Sequence, residues 1–343
     1  MASPGLSEIV TTTLRNREGK LADNMSKNIA LLNRMNKRGT INTADGGRTI
    51  VQELEYAENS TYTRYSGYQV LNISPSDVFT AAEFDWKQAA VAVTASGLEA
   101  DVQNTGTEAI IKLVASRVRN AEKTMQNNLW SDMYSDGTAS NQIGGLQLLV
   151  ADNASSGTVG GINRATYGFW RNQYFDATTD GGSAATTSNI QKYMNTVYNR
   201  TVRGTDKPDL ILADTNYYNL YLGSLQAIQR ITSDEMAQAG FTSLKYMAAD
   251  VVLDGFPLGS SGNLPNTGIA PAGGANSTSA AGAPVNHMYF LNTEYIHWRP
   301  HVNRNMVPLE TVNSINQDAT VKLLVWAGNM TLSNAFLQSV LKD

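Results

Sequence analysis

The residues with the most obvious capacity for chemistry are three histidines, His287, His297 and His301. A His-x-x-x-His spacing, as between His297 and His301, puts both imidazoles on one face of a helix, where they can bind a metal ion. Here Pro300 lies between them, and the flanking residues have the pattern of a strand and a turn. The spacing therefore does not predict a metal site, and no histidine stands out as a general base.

Other short motifs that bind ions or nucleotides are incomplete. Asp176–Gly182 has two carboxylates beside a glycine pair but lacks the ligand series and terminal glutamate of a calcium loop. Gly46–Thr49 resembles half of a phosphate-binding loop but has no lysine. There is no G-x-S-x-G elbow and no cysteine, so thiol chemistry and disulfides are excluded. We therefore expect no enzymatic activity, no cofactor and no bound metal.

The composition restricts the class of protein further. Of the 343 residues, 42% are hydrophobic and only 16% are charged, against about 25% charged in an average soluble protein. A net charge of -4 excludes a uniformly basic coat for nucleic acid. No apolar run is long enough to predict a membrane span, and the amino terminus lacks the pattern of a signal peptide. We expect a chain that folds in a cytoplasm and has a polar, mostly uncharged surface.

Positive charge is concentrated near the amino terminus. Residues 1–50 hold eight basic and four acidic groups, a net +4, so the remainder carries -8. Helical periodicity runs from Leu6 to Leu32. Two interpretations stay open for this arm: a solvated amphipathic helix, or a segment that lies on another subunit or near a polyanion.

Residues 48–73 predict a ribbon of two strands around a turn near Glu58–Ser60, because polar and apolar side chains alternate. The second strand would carry Tyr62, Tyr65 and Tyr68. An isolated two-stranded hairpin is marginally stable in water. We therefore expect the ribbon to need a partner surface, from its own domain or from another chain.

The rest of the chain predicts a long helix followed by an α/β unit. Apolar residues recur every three or four positions from Ile110 to Leu129, which predicts a helix over 107–134, roughly 40 Å long. An uncharged segment, 255–286, predicts a surface insertion loop. The remaining expected elements are a strand at 80–95, helices at 188–202 and 216–231, strands at 209–213, 251–253, 287–291, 295–298 and 319–326, and a last strand at 330–341.

Four segments resemble major capsid proteins of tailed bacteriophages, and the order of elements agrees over nearly the whole chain. The segments are Ser74–Glu99, Ile143–Asp152, Ser224–Arg230 and Gln317–Asn334. That family has the α+β Hong Kong 97-like coat fold. The resemblance implies an N-terminal arm at 1–45, an extended β-hairpin loop at 46–76, a peripheral domain with a long spine helix at 77–140 and 299–328, and an axial α/β domain at 141–298 and 329–343.

The resemblance also implies a function. Hexamers and pentamers of the chain would form an icosahedral phage head around double-stranded DNA, after assembly in the bacterial host cytoplasm, with no membrane involved. Portal, scaffolding and decoration proteins would be partners. The expected subunit contacts of the extended loop are Tyr56, Tyr62, Arg64, Tyr65 and Tyr68. The basic residues expected to face DNA or a neighbour are Arg15, Arg17, Lys20, Arg34, Lys37, Arg38, Arg117 and Arg119.

Two departures from the family pattern give further expectations. Some relatives carry a long N-terminal scaffolding segment that a protease removes. Here the sequence that resembles the coat fold starts almost at residue 1, so the scaffolding protein is expected to be a separate chain. Residues 48–73 contain no lysine, so the Lys–Asn isopeptide crosslink that some relatives form from this loop is expected to be absent. The alternatives are an encapsulin-like nanocompartment shell, which shares the fold, and a soluble enzyme with an α/β domain. A shell subunit would account for the low charge, because unpaired charges are costly at buried contacts.

Overall fold

The structure is a computed structural model that describes residues 30–96, 113–225, 243–253, 284, 286–310, 312–313 and 318–343. The helices within these ranges are α1 (Ala30–Arg38), α2 (Leu113–Asp132), α3 (Leu146–Leu149), α4 (Ile190–Thr201) and α5 (Thr215–Ser224). The strands are β1 (Ile50–Glu55), β2 (Phe79–Phe84), β3 (Lys87–Ser96), β4 (Thr158–Val159), β5 (Ile162–Asn163), β6 (Gln173–Asp176), β7 (Leu210–Ala213), β8 (Ser243–Tyr246), β9 (Ala249–Leu253), β10 (His287–Leu291), β11 (Ile296–Pro300), β12 (Val307–Pro308), β13 (Val312–Asn313), β14 (Ala319–Leu332) and β15 (Ser339–Lys342).

The described residues divide into two compact units. The first is drawn from Gln88–Trp130 and His301–Ala327, and the second from Ile29–Lys87, Ser131–Pro300 and Gly328–Asp343. The assignment of the chain to an arm, an extended loop, a peripheral domain and an axial domain stays a prediction.

A mixed sheet in the order β6-β15-β10-β7-β9-β8 is the centre of the second unit. Strand β7 has four buried apolar residues, which is typical of a strand covered on both faces. It pairs in parallel with β9 and antiparallel with β10. The carboxyl-terminal strand β15 lies between β10 and β6, so the chain end is part of the same sheet.

Helices α4 and α5 pack on this sheet through a core rich in tyrosine. Ile190, Met194 and Val197 share one buried face of α4 because they are spaced three and four residues apart. Helix α5 begins after Asp214, whose carboxylate accepts hydrogen bonds from the backbone N–H groups of Asn216 and Tyr217. This side-chain cap satisfies donors that the first helical turn leaves without partners.

The first unit contains most of α2 and a sheet in which β3, β12 and β13 pair with β14. Ala121, Met125 and Leu129 of α2 are buried, which confirms the part of the predicted apolar stripe that falls on them. The predicted start of this helix at 107 lies outside the described residues, and its described end is Asp132. No helix in the described ranges is both long and apolar enough to cross a bilayer.

Several predicted elements differ from the structure. The strand expected at 80–95 is broken into β2 and β3, because the Asp85 carbonyl accepts a hydrogen bond from Asn329 Nδ2 and the Trp86 indole donates to the Gly47 carbonyl. The helix expected to end at Leu32 continues to Arg38. Its earlier part, the end of the 216–231 helix and nearly all of the 255–286 loop lie outside the described residues.

Candidate assembly surface

Residues 56–78 form an extended loop between β1 and β2. The Tyr56 N–H donates to the Val78 carbonyl at 3.0 Å, and the Ser60 N–H donates to the Ser76 hydroxyl at 3.3 Å. These bonds hold the two limbs of the loop side by side. We call residues 61–75, beyond the second bond, the tip.

This arrangement corrects the predicted ribbon. Strand β1 pairs antiparallel with β2, with Ile50 opposite Phe84 and Glu55 opposite Phe79, and not with the segment from Tyr62 to Tyr68. The aromatic residues gave that segment the composition of a strand, but the ladder ends at Glu55 and the tip has no strand. The turn near Asn59 is present, because the Tyr62 N–H donates to its carbonyl.

The tip presents large side chains to solvent. Tyr62, Tyr65 and Tyr68 are 80%, 64% and 106% exposed, and Val70 and Ile73 are 92% and 91% exposed. Scattered exposed apolar residues are ordinary, but a contiguous group of them marks a surface that binds something. The structure therefore places three of the predicted contact tyrosines on one exposed segment, together with Arg64.

Tyr56 lies elsewhere, at the base of the loop. Its ring packs on Phe169 with centroids 5.2 Å apart. Phe169 lies in a Gly/Ser/Thr-rich region of the sequence, and nothing in its local pattern links it to the loop. Tyr56 thus positions the base of the loop.

The base is held by a close fit between β2 and the β4–β5 turn. The Glu83 N–H donates to the Gly160 carbonyl at 2.9 Å. Gly160 has a φ of +58°, and a Cβ there would lie 2.9 Å from Ala82 Cβ and 3.0 Å from Phe84 Cζ. Since real Cβ atoms essentially never come that close, only glycine fits at this position.

A buried arginine stabilises the residues under the base. Arg164 donates to the carbonyls of Leu148, Leu149 and Trp170. Burial lowers the pKa of Arg164 to about 10, so the side chain remains charged at neutral pH. The Trp170 indole donates to the Val159 carbonyl at 2.9 Å. These bonds give the loop a fixed attachment.

The structure describes five of the eight predicted basic residues. Arg15, Arg17 and Lys20 lie outside the described residues. Lys37 and Arg119 are exposed, and the Arg117 side chain donates to the Thr94 carbonyl at 3.1 Å.

Arg34 is a correction, because it is only 8% exposed and its own chain surrounds it. Its guanidinium bonds to the Asp250 carboxylate and to the Asp209 carbonyl, and Arg38 bonds to the Asp209 carboxylate at 3.2 Å. Thr293 also donates to that carboxylate. Arg34 therefore cannot face DNA or a neighbour in this structure, and it attaches α1 to the central sheet.

Each of the three histidines has a different hydrogen-bond partner. His297 Nε2 is 3.3 Å from the Ser333 hydroxyl, His287 Nε2 is 2.9 Å from Asp152, and His301 Nδ1 accepts from the Asn303 N–H. Asp176 and Asp180 bond to backbone N–H groups of their own turn. In the part of the chain that the structure describes, no three His, Cys, Asp or Glu side chains are grouped to hold a metal ion.

Comparison with known proteins identifies the fold. No protein-family model and no curated protein matches the chain, but solved structures do. The capsid asymmetric unit of cyanophage A-1(L) matches with a TM-score of 0.63 at 14% identity, over 96% of this chain and 97% of that one. The capsid of a native GTA particle matches with a TM-score of 0.52 at 10% identity, over 100% and 95%.

A third match is the holo-SrpI encapsulin complex from Synechococcus elongatus PCC 7942, with a TM-score of 0.53 at 9% identity, over 98% of this chain and 95% of that one. Identities this low establish the shared architecture only. The fold expected from the sequence is thereby confirmed: the chain has the α+β Hong Kong 97-like coat fold of phage capsid structures along its full length.

Proposed function

We propose that this protein is the major capsid protein of a tailed bacteriophage, a structural subunit of an icosahedral head that encloses double-stranded DNA. The observation that carries the proposal is the match to the cyanophage capsid subunit over 96% of the chain. In this function the chain assembles with itself into hexamers and pentamers and catalyses no reaction. Its location is the virion capsid, after assembly in the bacterial host cytoplasm.

The exposed tip supports this function independently of the fold. A monomer gains nothing from exposing three tyrosines on one segment, whereas a contact with a neighbouring subunit buries them. Tyrosine and arginine are enriched among the residues that dominate binding energy at interfaces. The extended loop therefore lies across a neighbouring subunit in the proposed shell, and Tyr62, Arg64, Tyr65 and Tyr68 make the contact.

The proposed partners follow from the needs of a head. A portal and a scaffolding protein take part in assembly, and a decoration protein is a further candidate. Packaged DNA keeps most of its own counterions, so a shell that ignores sequence requires few phosphate contacts. Lys37, Arg117, Arg119 and the arm residues Arg15, Arg17 and Lys20 are the candidate basic contacts. Reversing the charge of the three arm residues is expected to reduce assembly or packaging, and unchanged assembly and packaging would remove the arm from the proposal.

An encapsulin-like nanocompartment shell is the second candidate, because an encapsulin has the same fold. Contents distinguish the two functions: a phage head encloses DNA and a nanocompartment encloses cargo protein. Particles purified from the native source are treated with nuclease, opened, and assayed for protected DNA and for co-purified protein. Protected genome-length DNA supports the capsid function, and a stoichiometric cargo protein without DNA supports the alternative.

The absence of a covalent lock is a further part of the proposal. With no lysine in residues 48–73, neighbouring loops have no amine from which to form an isopeptide bond. Denaturing gels of assembled particles are therefore expected to show the 37.1 kDa monomer. A ladder of covalent multimers that peptide mapping traces to this loop would contradict the expectation.

A further inference from the structure

An open groove lies beside the base of the extended loop. It has a volume of about 300 Å³, comparable to about ten liquid water molecules. Its lining includes the aromatic side chains of Tyr56, Phe169, Trp170 and Phe336, together with the charged residues Glu55 and Arg203. Phe336 is 38% exposed, so an apolar surface inside the groove is available to a ligand.

The unbalanced charge of the groove is negative. Arg203 Nη2 lies 3.6 Å from the Asp206 carboxylate, so a partner of its own chain already balances this cation. Glu55 is exposed, and within the described residues its carboxylate makes no hydrogen bond or ion pair. A ligand with an aromatic group and a positive charge matches both properties of the groove.

The tip of the extended loop has that combination. Arg64 is the single cation of residues 56–78, and it forms no hydrogen bond or ion pair with the described part of its own chain. The tyrosines on either side of it are exposed, so the tip does not fill the groove of its own copy. The complementary surfaces are therefore both open on one chain.

We propose that the groove of one copy receives a tyrosine from the tip of a second copy, with Arg64 of the tip paired to Glu55 at the edge of the groove. The inference rests on the proposed function, because a shell puts copies side by side. An aromatic side chain in an aromatic-lined pocket supplies the binding energy. The charge pair at the rim fixes the register of the contact.

Charge exchange tests the pairing. Glu55→Arg and Arg64→Glu each place like charges together, so each single variant is expected to weaken the contact by about two- to five-fold and to raise the concentration required for assembly. The double variant E55R/R64E restores opposite charges and is expected to assemble as the wild type does. Single variants without effect, or a double variant no better than the worse single one, would overturn the pairing.

Crosslinking tests the docking itself, and the cysteine-free sequence makes the result specific. Phe336→Cys chains are mixed before assembly with chains carrying Tyr62→Cys, Tyr65→Cys or Tyr68→Cys, and then oxidised with diamide. A disulfide dimer between the two kinds of chain, mapped by mass spectrometry to position 336 and a tip position, is the expected result. The matched control uses Met247→Cys chains in place of the Phe336→Cys chains. Met247 is exposed and lies in the turn between β8 and β9, outside the groove lining.

The outcomes separate this inference from the proposed function. If the wild type forms shells but the Phe336→Cys mixtures give no more tip crosslink than the Met247→Cys control, the docking is overturned and the shell function is left intact. A wild type that forms no shells overturns both, because the docking requires neighbouring copies.

Discussion

Replacing Arg34 by methionine is expected to destabilise the subunit far more than the same change at Arg38, four residues later on α1. The Arg34 side chain is buried against Asp250, whose side chain is 6% exposed, and beside Asp209, whose side chain is 11% exposed. Removing the cation leaves the Asp250 carboxylate buried without a counter-charge, which costs about 3–5 kcal/mol. Arg38 is 48% exposed, so water replaces its lost bond and the cost is about 0.2–1 kcal/mol.

The assay is equilibrium urea unfolding of the unassembled chain, followed by tryptophan fluorescence. A third variant, R34M/D250L, removes both buried charges and leaves Asp209 bonded to Arg38 and Thr293. Since an apolar pair can replace a buried ion pair at little cost, this variant is expected within about 2 kcal/mol of the wild type. Equal losses of unfolding free energy for Arg34→Met and Arg38→Met would show that the buried ion pair contributes no more stability than the exposed one. An R34M/D250L variant less stable than Arg34→Met would show that the unpaired Asp250 is not the source of the loss.

Three further predictions concern the loop base, the pH dependence of stability and the tip. Gly160→Ala is expected to lower the free energy of unfolding by about 1–3 kcal/mol more than Gly161→Ala. Both glycines have positive φ, but only a Cβ at 160 meets other atoms. Equal losses for the two variants in urea unfolding would contradict this. Burial, with a smaller effect of nearby Arg299, lowers the pKa of His297 from 6.5 to about 4. Between these two pH values the unfolded chain binds a proton at this histidine that the native chain does not bind. The free energy of unfolding should therefore fall as pH drops from about 6.5 to about 4. His297→Gln is expected to flatten that fall, and an unchanged profile would count against it. Changing the three tip tyrosines, Tyr62, Tyr65 and Tyr68, to serine should alter the unfolding free energy by no more than about 0.5 kcal/mol. The same change should reduce assembly measured by light scattering, and normal assembly would show that the contact lies elsewhere.

The local pattern of apolar residues was enough to predict some helices and strands without knowledge of what they pack against. The stripe through Ala121, Met125 and Leu129 follows helical spacing alone, and the buried run Leu210–Ala213 has the composition of a strand. The helix was predictable because burial repeats with the helical period, and the strand because a short apolar run is typical of a strand covered on both faces.

Partners far apart in sequence were not predictable in this way. Strand β1 pairs with β2 across the whole extended loop, and the four-residue strand β6 is fixed by β15, more than 160 residues later. Arg34 has the pattern of a solvated helical residue, and nothing local indicates that it bonds to Asp250, 216 positions away. The groove likewise combines segments around 55, 169, 203 and 335.

The burial of Arg34 also changes the interpretation of the charge pattern. The positive excess of residues 1–50 suggested an arm near a polyanion, yet Arg34 and Arg38 are paired with carboxylates of the central sheet. Part of that excess therefore stabilises the fold, and less of it is left to contact DNA.

Electron microscopy of the purified protein shows whether the chain assembles into a shell. A shell subunit forms closed particles tens of nanometres wide through many repeated contacts between copies, so we expect such particles with icosahedral symmetry. A chain that remains a stable monomer or dimer at every concentration examined, with no shells, would contradict it.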